Sequence, residues 1–241
     1  MPKFDQHFLR DCSYARRIAE AVQPIDGETI LEVGPGHGAL TQYLLTKPFS
    51  YVGIEIDRSC IERLQSLYPT SKAVWVNGDF LRVPMPAAEA FFFVSNLPYS
   101  ISGPALFRIL EYRSRIRGGV LMLQAEVAQR LYAKPGARPY GRISLLFQSV
   151  YRVHRLLRVP PGAFSPPPKV WSEVVVFERQ PHISLEEWDN FADFVRKAFR
   201  QPRRTLKKNL DLPDNGVFQA WALRRPHELS IETFIQLWRS Q

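Results

Sequence analysis

Cysteine is scarce: the 241-residue chain has two, Cys12 and Cys60. They form neither a CxxC pair nor a disulfide framework, which excludes a stapled secreted fold and fits a reducing, cytosolic setting. Histidine is scarce as well, with five residues scattered along the chain. No His/Cys group has metal-ligand spacing, so no metal site is expected. No Ser/His/Asp or Cys/His arrangement is visible, which leaves hydrolytic catalysis without an activated nucleophile. No apolar stretch approaches membrane-spanning length, and the Met1-Pro2-Lys3-Phe4-Asp5 start lacks the charged-then-apolar pattern of a secretory leader. The expectation is a cytoplasmic protein with no membrane partner. Internal repeats and low-complexity tracts are also missing, which excludes solenoids and disordered arrays.

What is present is an ordinary globular composition, 45% hydrophobic and 23% charged, with a formal net charge of +9. A core is within reach, and the basic excess points to a polyanion, nucleic acid before anionic membrane. Helical spacing marks Ser13 to Val22, Ala39 to Leu45, Ser59 to Leu67 and Pro104 to Glu111. Between them lie short apolar runs: Thr29 to Val33, Tyr51 to Asp57, Ala73 to Val76, Phe91 to Val94 and Gly119 to Leu123. Strands alternating with helices predict an α/β fold, a parallel, doubly wound Rossmann-like sheet. Ser144 to Val153 reads as a further strand. Val170 to Phe177 reads as the last one, beside it, after the Pro-rich connector from Pro160 to Pro168. After Pro181 the pattern is helical: Ser184-Leu185-Glu186-Glu187 is a capping-box signature, and Ser230 precedes the stripe Ile231, Phe234, Ile235 and Trp238. The predicted organisation is an α/β domain over residues 1–180 and a small all-helical C-terminal domain over residues 181–241.

Gly34-Pro35-Gly36-His37-Gly38 stands between a strand and a helix, where glycines let a ligand approach the backbone closely. Glu55 ends the next strand, about 20 residues on, where a carboxylate can accept ribose hydroxyls. A tight turn with an exposed Glu is the bland alternative. A dinucleotide and S-adenosylmethionine both use this arrangement. The Gly-x-Gly-x-Gly spacing, with Glu32 just before it and Asp79 ending the third strand, favours the cationic S-adenosylmethionine over a pyrophosphate. Asp79 could accept from an adenine amine, or simply hold a turn. Asn96-Leu97-Pro98-Tyr99 follows the apolar run Phe91 to Val94, at the strand end where open α/β sheets bind ligands. The Asn96 side-chain oxygen and the Leu97 carbonyl could hold the two N–H bonds of an aniline-like amine. Pro98 would fix the turn and Tyr99 would stack on the base. Phe164, on the rigid connector, is the expected second ring over that base, with core packing as its alternative. Arg142, Lys169, Arg200, Arg203, Arg204, Lys207 and Lys208 are expected to track a phosphate backbone, or else to form a solvated face.

These residues also carry a resemblance. Glu32-Val33-Gly34-Pro35-Gly36, Ile54-Glu55-Ile56-Asp57, Gly78-Asp79-Phe80, Asn96 to Ser102, Leu123 to Leu131, Phe164 to Val170, Gln201 to Leu206 and Arg225 to Ser230 recur in register along nearly the whole chain. The chain resembles the ribosomal RNA adenine-N6 dimethyltransferase family, most closely its bacterial small-subunit (16S) rRNA enzymes. The resemblance implies S-adenosylmethionine as cofactor, contacted by His7, Leu9, Gly34, Glu55, Asp79 and Asn96. It implies dimethylation of two adjacent adenosines near the 3′ end of small-subunit rRNA in an immature 30S particle, with no protein partner beyond that particle. His7 stands where many members have Asn, and Asp5 where Gly usually precedes the Gln. Three other readings compete: a large-subunit (23S) rRNA adenine-N6 methyltransferase, a non-catalytic assembly factor, and an NAD-dependent dehydrogenase.

Overall fold

The computed structural model describes residues 7–210 and 217–240; Asp5 and Gln6 lie outside them. Contacts within the chain group it into two units, Met1–Ala128 with His154–Glu178, and Gln129–Val153 with Arg179–Gln241. The second unit includes Gln129–Val153, a stretch whose ends no shift in composition marks.

In the first unit the elements run β1 (Phe8–Leu9), α1 (Cys12–Glu20), β2 (Glu28–Val33), α2 (Thr41–Leu44), β3 (Tyr51–Glu55), α3 (Arg58–Leu67), β4 (Val74–Asn77), β5 (Ala90–Asn96), α4 (Ser102–Glu111) and β6 (Ile116–Gln124). Asp11 and Asp57 cap α1 and α3, each accepting from the backbone N–H two residues on, Ser13 and Ser59. After β6 come α5 (Ala125–Tyr132), α6 (Arg142–Gln148), β7 (Tyr151–Val159), β8 (Phe164–Ser165) and β9 (Ser172–Arg179). The seven-stranded sheet has the order β4-β3-β2-β5-β6-β9-β7. β4, β3, β2, β5 and β6 run parallel, while β9 joins β6 antiparallel, so the sheet is mixed rather than wholly parallel. β2 and β5 are central and covered on both faces: Ile30, Leu31, Phe91, Phe93 and Val94 have no exposed surface. That explains their unbroken apolar runs. β2 feeds β3 on one side and β5 pairs on its other side, so the strand order reverses between them. Open sheets bind ligands outside the carboxyl ends of strands at such a switch point.

Ser144 to Val153 is not one strand. Ser144, Leu145, Leu146 and Phe147 are all buried, but in α6, and β7 starts at Tyr151. A short continuous apolar run cannot distinguish a buried helix from a buried strand. The local signal is Gly141 in an extended conformation before the helix, its N–H donating to Ser144 Oγ at 2.9 Å. Likewise the last strand starts at Ser172, with Val170 and Trp171 exposed before it.

The second unit also holds α7 (Trp188–Ala198), α8 (Leu206–Leu210), α9 (Val217–Trp221) and α10 (Ile231–Arg239). Ser184 Oγ accepts from the Glu187 N–H and donates to its carboxylate, closing the loop before α7. Phe194 and Phe199 of this unit meet Phe234 of α10 at ring-centroid distances of 6.2 and 5.8 Å. Among the described residues, no helix is long and apolar enough to cross a membrane.

Candidate active site

A cavity opens at the switch point. Its floor is the loop after β2, its sides are the ends of β3, β4 and β5, and β1 covers it. Gly34 and Gly36 sit at φ +71° and +53°, in the left-handed region that side chains avoid. The Gly34 N–H donates to the Ile54 carbonyl at 2.9 Å, holding the loop against β3. A methyl group on Gly36 would meet the Phe8 ring at 3.0 Å, so the loop and β1 are packed to contact.

Three carboxylates line the cavity: Glu32, Glu55 and Asp79; no lysine or arginine does, among the described residues. Glu55 is buried, with Oε2 accepting from the Gly36 N–H at 2.9 Å and Oε1 from the Asp57 N–H at 3.0 Å. Each oxygen has a second lone-pair direction, so the residue fixes the glycine loop and still has acceptor capacity for hydroxyls. Asp79 Oδ1 accepts from the Leu81 N–H at 2.9 Å, and Arg82 Nε lies 3.6 Å from Oδ2. The bland turn role and the cavity-wall role thus coexist there. Glu32 differs. Its Oε2 accepts from Tyr51 Oη at 2.5 Å and Thr41 Oγ1 at 2.8 Å. Burial pushes its carboxyl up to about 7, against the opposing pull of those two hydrogen bonds.

Asn96 ends β5. Its Nδ2 donates to the His7 carbonyl at 3.1 Å. A carbonyl oxygen can only accept, so the amide orientation is fixed and Oδ1 is the end left for an amine. The Leu97 N–H donates to the Met122 carbonyl at 3.2 Å, pinning the peptide that follows. Pro98 leads into a single 3-10 turn over Tyr99–Ile101. The Tyr99 hydroxyl meets Ser172 Oγ at 2.7 Å, which ties the ring to β9. All four residues of Asn96 to Tyr99 line the cavity, as do His7, Leu9 and Gly34. His7 Nδ1 lies 2.8 Å from the Pro166 carbonyl, and its ring centroid 5.3 Å from that of Tyr99.

Phe164 is placed elsewhere. It pairs with Leu9 across β1 and β8, is 4% exposed, belongs to the apolar core and is not on the cavity wall. The ring expected over a base instead packs the strand pair that holds the cover in place. The sequence reading also missed Phe8, which stacks on His37 at 3.8 Å and 7°. Burial and then Arg63 lower the His37 imidazole. Ser172 was missed as well, because nothing local marks a partner 73 residues from Tyr99.

Lys169 of the first unit is exposed, as are Arg142, Arg200, Arg203, Arg204, Lys207 and Lys208 of the second. Buried Asn209 holds the loop that carries the last group. Its Oδ1 accepts from the Gln201 N–H at 3.0 Å, and its Nδ2 reaches the carbonyls of Gln201, Arg204 and Thr205 at 3.1, 3.5 and 3.3 Å.

Comparison with known proteins bears on this geometry. The chain is 40% identical to the ribosomal RNA small subunit methyltransferase A of Aromatoleum aromaticum, over 89% of this chain and 85% of that one. It is 38% identical to the Laribacter hongkongensis protein of the same name, over 98% and 93%. Among solved structures, a dimethyladenosine transferase from Plasmodium falciparum superposes with a TM-score of 0.81 at 24% identity, covering 96% of each chain. The 23S rRNA methyltransferase ErmE superposes with 0.80 at 24% identity, covering 96% of this chain and 98% of its own, so the shared fold spans both sheet and helices. A sequence model of the family described as ribosomal RNA adenine dimethylase matches residues 1–233, and the chain belongs to that family.

Proposed function

We propose that this protein transfers methyl groups from S-adenosylmethionine to the N6 amines of two adjacent adenosines near the 3′ end of small-subunit (16S) rRNA, giving N6,N6-dimethyladenosines in an immature 30S particle in the cytoplasm. The observation that carries the reading is the oriented Asn96 amide on the wall of a cavity lined also by Glu55 and Asp79, with no lysine or arginine on that wall among the described residues. Such a wall disfavours a pyrophosphate and suits a ligand bearing sulfonium and ammonium charge. Glu55 and Asp79 supply acceptors for ribose and adenine, the left-handed Gly34 and Gly36 allow close approach, and Ile56 and Phe80 give apolar walls. His7 and Leu9 close the cavity from β1.

If bound there, S-adenosylmethionine would supply a methyl on sulfonium: the amine lone pair would take the carbon, the C–S electrons would return to sulfur, and the amine proton would leave to water. Asn96 Oδ1 and the Leu97 carbonyl accept the two N–H bonds and turn the lone pair toward the methyl. They also stabilise the positive charge that develops on nitrogen. Tyr99 stacks on the base, which must first leave its own stack. No strong base is needed, since the amine proton becomes acidic only once the nitrogen is alkylated. The exposed basic residues hold the rRNA backbone. The small-subunit assignment is supported by the identity to proteins named for that subunit. Radiolabelled methyl transfer to undermethylated small subunits and to large-subunit rRNA, with the modified nucleotides mapped, tests it. Label in two adjacent small-subunit adenosines is expected. Label only in large-subunit rRNA, or particle binding without label, overturns it.

A further inference from the structure

Trp171 is 47% exposed, two residues after Lys169 at the end of the Pro-rich connector. Its carbonyl accepts from the Ala125 N–H at 2.9 Å, and the next residue, Ser172, pairs with Gln124 at the carboxyl end of β6. The Trp171 backbone therefore stands at the end of the sheet where Asn96 to Tyr99 also stand. Ser172, one residue on, is the residue that meets the Tyr99 hydroxyl at 2.7 Å. Successive side chains along a strand point to opposite faces, and Arg158 is shared by Trp171 and Glu173, so the indole lies across the strand from the Ser172 hydroxyl that holds Tyr99.

The ring is braced on one side. Arg158 lies over it with Cζ 4.9 Å from the centroid. That guanidinium is held by Glu173, which is 0% exposed, with Arg158 Nε 3.3 Å from Oε1 and Arg155 Nη1 4.0 Å from the same atom. A buried carboxylate fixing the cation that covers one indole face pre-orders the side chain, so stacking on the uncovered surface costs little further rotamer entropy. Arg155 and Arg158 together outweigh the one Glu173 carboxylate they share, and exposed Lys169 lies two residues before Trp171.

We propose that Trp171 is a stacking platform for an rRNA base flanking the adenosine held at Tyr99, with Lys169 and Arg155 beside the adjoining phosphates. This rests on the methyltransferase reading and adds to it a contact that keeps the strand splayed while one base is in the cavity. Aromatic side chains stack on any base, so the contact contributes affinity with little sequence preference.

The test compares Trp171→Leu and Trp171→Phe with wild type. The readouts are methyl transfer to undermethylated small subunits, S-adenosylmethionine binding and thermal melting. Losing one base–aromatic stack corresponds to about a 5- to 150-fold effect. Trp171→Leu is expected to lower kcat/KM for the particle by that factor, mainly through KM, with cofactor affinity unchanged. Trp171→Phe is expected to recover most of it. Wild-type behaviour of Trp171→Leu, or Phe performing no better than Leu, overturns the inference, as does a KM effect matched by lost cofactor affinity or melting temperature. If wild type itself transfers no methyl to the particle, the functional reading and this inference fall together. If wild type transfers and Trp171→Leu matches it, only the inference falls.

Discussion

Glu32 offers a quantitative check on the electrostatics of the cavity. Its carboxyl is 2% exposed and is raised from 4.5 to about 7, chiefly by burial. Below pH 4.5 it is protonated in both the folded and the unfolded chain, and its stabilising share is fully present. As pH rises toward 7 the unfolded carboxyl ionises while the folded one keeps its proton, and stability falls until both are ionised. The total loss for a shift from 4.5 to about 7 is on the order of 3 kcal/mol, at 1.36 kcal/mol per pH unit. Glu32→Gln mimics the neutral form: its amide oxygen can still accept from Tyr51 and Thr41. The measurement is urea unfolding of both proteins from pH 4.5 to 8.5. The variant is expected to match wild type at the acid end and to exceed it by up to about 3 kcal/mol at the alkaline end, with the change centred between pH 4.5 and 7. Other titrating groups cancel in the difference. A stability difference that does not change across this range would refute the buried, proton-holding assignment.

Asn96→Ala removes the oriented acceptor; turnover is expected to fall about 100- to 1000-fold with particle binding largely kept, and steady-state methyl transfer beside a binding assay checks it. Gly36→Ala forces a side chain into φ +53° and against Phe8 at 3.0 Å, so a stability loss of about 1–2 kcal/mol and weaker S-adenosylmethionine binding are expected by melting and calorimetry. Arg203→Ala with Arg204→Ala should weaken particle binding and flatten its log–log salt dependence by roughly 0.7 per charge removed, as titration at several salt concentrations would show. Asn209→Ala removes the partner of the Gln201 N–H and of the Arg204 carbonyl, while the Gln201 and Thr205 carbonyls keep the Arg204 and Lys208 N–H groups; a loss of about 1–3 kcal/mol is expected from denaturant unfolding, together with a binding defect like that of the arginine variant.

The parts of the site legible in the sequence are those whose chemistry is local. The glycine loop and Asp79 lie just past strand ends, Glu55 and Asn96 end strands themselves, and strands on both sides of the switch point bring their ends to one cavity. The α6 segment was misread because burial on all sides erases periodicity: Leu145, Leu146 and Phe147 are apolar in succession whether helix or strand carries them. Phe164 shows a different limit. Its proline-rich setting argues for rigidity, but rigidity does not say which way a ring points. That was decided by pairing with Leu9, 155 residues away, in a two-stranded sheet that no periodicity announces. The same strand pair places the His7 carbonyl against the Asn96 amide. Phe164 packs the cover whose backbone orients the Asn96 amide. Exchanging it for a small residue should loosen that orientation before it touches any base.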